Sequence, residues 1–216
     1  MSVVLVSSMQ SQLRPGLRLL AVCGSLQGRS ANRAAIAVAS SLADARGATI
    51  DDFDGLADIP AFNADRDDEH IEVVEEWRRR VASADLVLVA APEYAGGVAG
   101  VVKNAFDWLV GSGSMYRKPV AVISAGTSGG QHARQAMVQT LTWQGAYVVA
   151  ELGVSAPRTK SDDDGRLTDE PTLTAIASMT ELLLESAAMP IADLVALAVG
   201  VVGSLGVDVA RVAPAL

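Results

Sequence analysis

Ser25, Ser30 and Asn32 stand close together in the stretch GSLQGRSAN, which runs from Gly24 to Asn32 and also holds Gln27, Gly28 and Arg29. Hydroxyls, an amide and glycines at this density suit the holding of an anion by hydrogen bonds. The run LLAVC before it, residues 19–23, is short and apolar, as a strand buried on both faces would be. Ala34, Ala35, Ile36 and Val38 continue as a helix, with Ser30 or Asn32 near its cap. A chain that passes from strand to helix through such a loop leaves the first helical N–H groups unpaired, at the positive end of the helix dipole. A phosphate is the usual anion in that place.

Known phosphate loops differ in their spacing. A dinucleotide fingerprint needs G-x-G-x-x-G, and Gly24-Ser25-Leu26 lacks the second glycine. A nucleoside-triphosphate loop needs four residues between its glycines and a following lysine. Only Ser25, Leu26 and Gln27 separate Gly24 from Gly28, and Arg29 holds the lysine position. The stretch fits a flavin mononucleotide (FMN) phosphate loop, which requires no metal. It also fits an ordinary strand-to-helix turn capped by Ser30.

Four further short segments are expected to carry the sheet that positions this loop. Residues 48–53, 86–91, 120–124 and 147–152 read as strands, and helices are expected over 70–84, 98–109, 131–144 and 171–187. In the helix over 70–84, Ile71, Val74, Trp77 and Val81 share one face. Strands alternating with helices imply an α/β three-layer sandwich around a five-stranded parallel sheet, here of order 2-1-3-4-5. In that order the ligand crevice lies beyond the carboxyl ends of the first and third strands. The loop after the third strand is PEYAGGVA, residues 92–99. Its Pro92 stops the strand, Tyr94 can lie along a flat ring, and Gly96 and Gly97 admit close backbone approach. The loop after the fourth strand, AGTSGG at 125–130, is again small and leads into a helix. A flavin needs loops of this kind, with backbone N–H groups and an aromatic or proline wall.

Composition limits the alternatives. The chain has 216 residues, 50% of them hydrophobic, which suffices for one substantial core. A formal net charge of −8 argues against nucleic acid or an anionic membrane as partner. The single cysteine, Cys23, lies inside an apolar run and fits a reduced, cytoplasmic setting. His70 and His132 have no metal-ligand spacing, so no metal site is expected. Residues 1–16 read as an N-terminal extension before a domain at 17–190. Residues 191–216 read as an apolar C-terminal tail, helical and interface-forming, because the uncharged run 194–207 is too short to span a bilayer.

Taken together, GSLQGRSAN, PEYAGGVAGVVKNAFDWL and SAGTSGG with TWQGA after it resemble the NADPH-dependent FMN reductase family of the flavodoxin-like superfamily. The resemblance implies that Ser25, Ser30 and Asn32 bind the FMN phosphate. It also implies an arginine at the position of Gln27, for which Arg29 could substitute. Pro92, Glu93 and Tyr94 match the family's Pro-Glu-Tyr segment, and Ala95, Gly96 and Gly97 would contact the flavin edge. Ser124, Gly126, Gly129 and Gly130 would border the ring on its other side. Lys103, Asn104, Asp107 and Trp108 match a helix at the family's subunit interface and are read as structural.

The implied activity is hydride transfer from NADPH or NADH through FMN to a small-molecule electron acceptor: free flavin, a quinone, an azo compound or a metal oxyanion. No acid–base side chain is required for it, and none is assigned. A homodimer or homotetramer is expected. Two other readings stand beside this one, a non-enzymatic FMN-binding electron carrier and a flavodoxin-like domain that has lost its flavin.

Overall fold

Runs of Val, Leu, Ile and Ala form the centre of the computed structural model, which describes residues 13–212. In chain order the elements are β1 (Arg18–Cys23), α1 (Ala31–Ala45), β2 (Thr49–Phe53), α2 (Glu72–Ser83) and β3 (Leu86–Ala90). There follow the two-residue strands β4 (Glu93–Tyr94) and β5 (Gly97–Val98), then α3 (Gly100–Asp107), β6 (Pro119–Gly126) and α4 (Gln131–Trp143). The chain goes on through β7 (Tyr147–Ser155), α5 (Glu170–Ser186) and α6 (Ile191–Ser204). The first twelve residues of the expected N-terminal extension and the last four of the C-terminal tail lie outside the described residues.

The main sheet is parallel, in the order β2-β1-β3-β6-β7. With the short hairpin strands set aside, this is the expected flavodoxin-like order 2-1-3-4-5. Every residue of β3 is buried, and β6 is buried up to Ala125, because helices cover both sheet faces. The crossover from β1 to β2 runs one way along the sheet and the later crossovers run the other way. Right-handed connections therefore set α1 on one face and α2, α3 and α4 on the opposite one. Helix α5 returns beside α1.

Aromatic side chains fix the α2–α3 layer. Trp77 is fully buried, with its ring centroid 4.8 Å from that of Phe53 and 5.7 Å from that of Phe106. Its indole Nε1 donates to the Ala105 carbonyl at 2.8 Å, so the burial strands no polar group. Trp108 donates to the Pro60 carbonyl, which also receives a hydrogen bond from the Asn104 amide, each at 2.9 Å. Two of the four residues matched to an interface helix thus face inward and hold the connection after β2. Lys103 and Asp107 pair with each other on the outer side.

The uncharged C-terminal run folds back as α6 against β7. Leu194, Ala198 and Val202, four residues apart, form its buried stripe, while Ile191 and Val199 stay exposed.

Cys23 ends β1 at 5% exposure, and desolvation pushes its thiol above the ordinary pKa. Its thiolate is correspondingly scarce at neutral pH. A chromogenic disulfide at pH 8 is expected to titrate no thiol in minutes on the native protein, and one thiol per chain in denaturant. Rapid modification without unfolding would contradict this placement.

Candidate functional site

A cleft of about 920 Å³ opens at the carboxyl ends of β1, β3 and β6. Ser25, Gln27, Arg29, Ser30, Asn32, Pro92, Glu93, Tyr94 and Gly126 all line it. Ala95, Gly96 and Gly97 lie at the tip of the β4–β5 hairpin, which forms no part of the lining of this cleft. Gly129 and Gly130 end the third loop and the buried Ser124 precedes it, and none of the three lines this cleft. The cleft has a fourth wall, Pro157 to Leu167, which contributes Arg158, Asp162 and Arg166.

The first loop leaves β1 against α3. A Cβ on Gly24 would lie 2.3 Å from Val102 Cγ2 and 2.8 Å from Ala91 Cβ, so only glycine lets the chain pass there. Ser25 Oγ then accepts from the Gln27 N–H at 3.4 Å, and Ser30 caps α1 by accepting from the Asn32 N–H at 3.2 Å. The N–H groups of Gly28, Arg29, Ser30 and Ala31 have no acceptor among the described residues. They stand at the N-terminus of a 15-residue helix, where the dipole favours negative charge.

The second loop is a tight antiparallel hairpin, pairing Glu93 with Val98 and Tyr94 with Gly97. Ala95 and Gly96 turn it with φ of 50° and 72°. Tyr94 is 55% exposed, so its ring is open to a planar ligand. The Glu93 carboxylate accepts from the N–H groups of His132 at 2.8 Å and Ala133 at 3.2 Å. It thereby satisfies two first-turn donors of α4, whose own cap, Gly130, has no side chain to do so. His132 itself is exposed.

The third loop is tied to the first by Asn32. This side chain is 2% exposed, and its amide donates to the Ala125 carbonyl at 3.0 Å while its oxygen accepts from the Ala125 N–H at 2.9 Å. Arg134 donates to the Gly129 carbonyl at 3.1 Å and forms an ion pair with Glu151 on β7. Gly130 sits at φ 60°, and a Cβ there would lie 1.9 Å from the buried Ser124 Oγ. Gly126 has nothing within 4 Å of the corresponding point, so a ligand can approach its backbone.

None of the residues singled out from sequence lies on the fourth wall. Asp162 accepts from the N–H groups of Asp164 and Arg166 and from the Arg166 guanidinium, and Asp164 also pairs with Arg166. The Arg166 hydrogen bond holds the Asp162 carboxyl below its usual pKa. Arg29 donates to the Asp163 carbonyl, which clasps this wall to the first loop. The lining then holds unpaired N–H groups and arginines at one end, and an exposed aromatic ring with an accessible glycine backbone at another. That set fits a flat ring carrying a phosphate monoester. Among the described residues, no cluster of His, Cys, Asp or Glu is placed to hold a metal ion.

Asn32→Ala leaves the N–H and C=O of Ala125 buried without their partner, at a cost of about 1–3 kcal/mol each. A fall in unfolding free energy of about 2–4 kcal/mol is expected in denaturant titration. A change under about 0.5 kcal/mol would show that Asn32 does not brace the loops.

The model of the family described as NADPH-dependent FMN reductase matches residues 17–160. A probable NADPH:quinone oxidoreductase of Oryza sativa subsp. japonica is 32% identical over 167 residues, 72% of this chain and 84% of the relative. An NAD(P)H-dependent FMN reductase of Pseudomonas aeruginosa is 32% identical over 164 residues, 71% of this chain and 86% of the relative. Among solved structures, the flavoenzyme NAD(P)H:(acceptor) oxidoreductase FerB of Paracoccus denitrificans superposes with a TM-score of 0.67 at 27% identity. That superposition covers 79% of this chain and 97% of the other. The chain belongs to the NADPH-dependent FMN reductase family and is an NAD(P)H-dependent flavin oxidoreductase whose cofactor is FMN.

Proposed function

We propose that this chain reduces a quinone, or a small acceptor of similar shape, at the open face of FMN held in the cleft described above. The observation that carries the reading is the convergence of three small loops and a row of unpaired N–H groups at one sheet edge. When bound, FMN supplies the acceptance of hydride from NADPH or NADH and the delivery of electrons to the second substrate. The protein's own residues bind and orient. Ser25 and Ser30 hydroxyls, Gln27, Arg29 and the N–H groups from Gly28 to Ala31 receive the phosphate. Pro92 and Tyr94 shape one side of the ring, and Ala95, Gly96 and Gly97 close the hairpin that presents Tyr94. Gly126, with Gly129 and Gly130 behind it, shapes the other. Asn32 and Glu93 act from beneath, as braces between loops. The Tyr94 side stays open, which lets a nicotinamide and then an acceptor occupy the same place in turn. The two relatives named as a quinone oxidoreductase and an acceptor oxidoreductase support this choice of substrate class.

The same reading makes 17–190 the catalytic domain, in the cytoplasm, and the assembly a homodimer or homotetramer. Cys23 as a free buried thiol supports a reducing compartment. A second copy of the chain is the expected cover for a groove of about 1220 Å³ that holds the exposed Val110, Tyr116 and Trp143. The exposed Ile191 and Val199 of α6 add apolar surface for assembly. Among the described residues no helix is long and apolar enough to cross a membrane.

Anaerobic NADPH added to the FMN-loaded protein is expected to bleach the flavin absorbance, and a benzoquinone added next to restore it. Bound flavin that NADPH leaves coloured would favour the electron-carrier reading instead. The native mass is expected at two or four times the 22.3 kDa of one chain. A mass of one chain at micromolar concentration would end the assembly proposal.

A further inference from the structure

Four arginines line the cleft: Arg29, Arg33, Arg158 and Arg166. Two of them are engaged elsewhere. Arg166 is held between Asp162 and Asp164, and Arg29 donates to the carbonyl of Asp163. Arg33, in the first turn of α1, forms no hydrogen bond or ion pair among the described residues. Arg158 has no hydrogen bond or ion pair among the described residues, yet it stands on the wall that closes over the first loop.

The backbone that presents Arg158 is restrained on several sides. Ala156 takes a left-handed conformation, φ 47° and ψ 49°, which costs an alanine about 1–2 kcal/mol. Its N–H donates to the carbonyls of both Gly126 and Thr127, at 3.2 Å each, so the turn is fastened to the third loop. The short helix Pro157–Lys160 begins there and places Arg158 in its first turn. Beyond it, Ser161 Oγ donates to the Pro157 carbonyl at 2.9 Å, Ser161 bridges to Leu167, and Asp163 is clasped by Arg29. A strained residue held by neighbours on two sides marks a segment whose direction matters. What that direction achieves is to keep Arg158, exposed and without a partner among the described residues, in the lining of the cleft that also holds the unpaired N–H groups of Gly28 to Ala31.

We infer that Arg158 binds the FMN phosphate, adding a second guanidinium from the fourth wall to a first loop in which Gln27 is neutral and Arg29 is tethered to the Asp163 carbonyl. The inference rests on the flavin reading of the cleft. It makes the segment after β7 a binding element, and it divides the recognition of one anion between two distant parts of the chain. A guanidinium is suited to the role, since its planar fork can meet two phosphate oxygens at once.

Riboflavin, which has the same ring system and no phosphate, separates this role from a general effect on the cleft. Dissociation constants of FMN and riboflavin are measured by flavin fluorescence for the full-length wild type, Arg158→Ala and Arg158→Lys. Arg158→Ala is expected to weaken FMN about tenfold or more, the scale of one charged hydrogen bond. Riboflavin is expected to change less than twofold, and Arg158→Lys to recover part of the loss. The FMN difference is expected to shrink as sodium chloride is raised, since the site is open to solvent. Unchanged FMN binding by Arg158→Ala, or equal loss of FMN and riboflavin, would overturn the assignment while leaving the flavin reading intact. Failure of the wild type to bind FMN at all would overturn both.

Discussion

One buried amide, the Asn32 side chain against the peptide unit of Ala125, keeps the cleft in shape. The loops that line it leave the ends of separate strands, and a parallel sheet fixes those strands only up to their last ladder hydrogen bond. Beyond that point each loop needs its own restraint. Asn32 joins the first turn of α1 to the end of β6 through both of its polar atoms, in a place where water cannot compete. Glu93 does the same between the hairpin and α4. Arg29 and the Ala156 N–H bind the fourth wall to the first and third loops. Each restraint crosses from one loop to another, so the geometry is set before any ligand arrives, which limits the ordering that binding must later impose.

The charge arrangement follows from these restraints. The chain carries a formal net charge of −8, which would oppose a phosphate over most of its surface. Within the cleft the acidic groups are occupied. Glu93 faces helix N–H groups, and Asp162 and Asp164 face Arg166. What remains is a helix N-terminus and uncommitted arginine. A local field of this sign needs no basic protein around it, because the nearest charges and dipoles dominate at such distances.

The groove on the α3–α4 side is of another kind. Its exposed members Val110, Tyr116 and Trp143 lie apart from the cleft, and the inward turn of Asn104 and Trp108 gives α3 one face for the core and one for the outside. A helix of eight residues that serves two neighbours must divide its sides in this way.

Local patterns made much of this legible in the sequence. Short strand-like segments separated by amphipathic stretches allow little besides a covered parallel sheet, and Gly24 and Gly130 sit where a side chain would collide. These are short-range facts, read from neighbours along the chain. Other features depend on contacts between residues far apart in sequence. Asn32 reads as a phosphate ligand from its place after Ser30, and only the fold shows its amide turned onto Ala125, 93 positions away. Glu93 reads as part of a flavin-facing motif, and its carboxylate lies 39 positions from the N–H that it satisfies. Residues 157–167 carry no motif, and nothing in their composition says that a left-handed Ala156 will turn them onto the cleft with Arg158 in its lining. The sequence by itself determined the strands, the helices between them and the small loops that follow the strands, since hydrophobic period and turn chemistry act locally. Only the tertiary structure decided which polar side chains face the ligand and which brace the loops, since a hydrogen-bonding group turns to whichever partner the packing brings within reach.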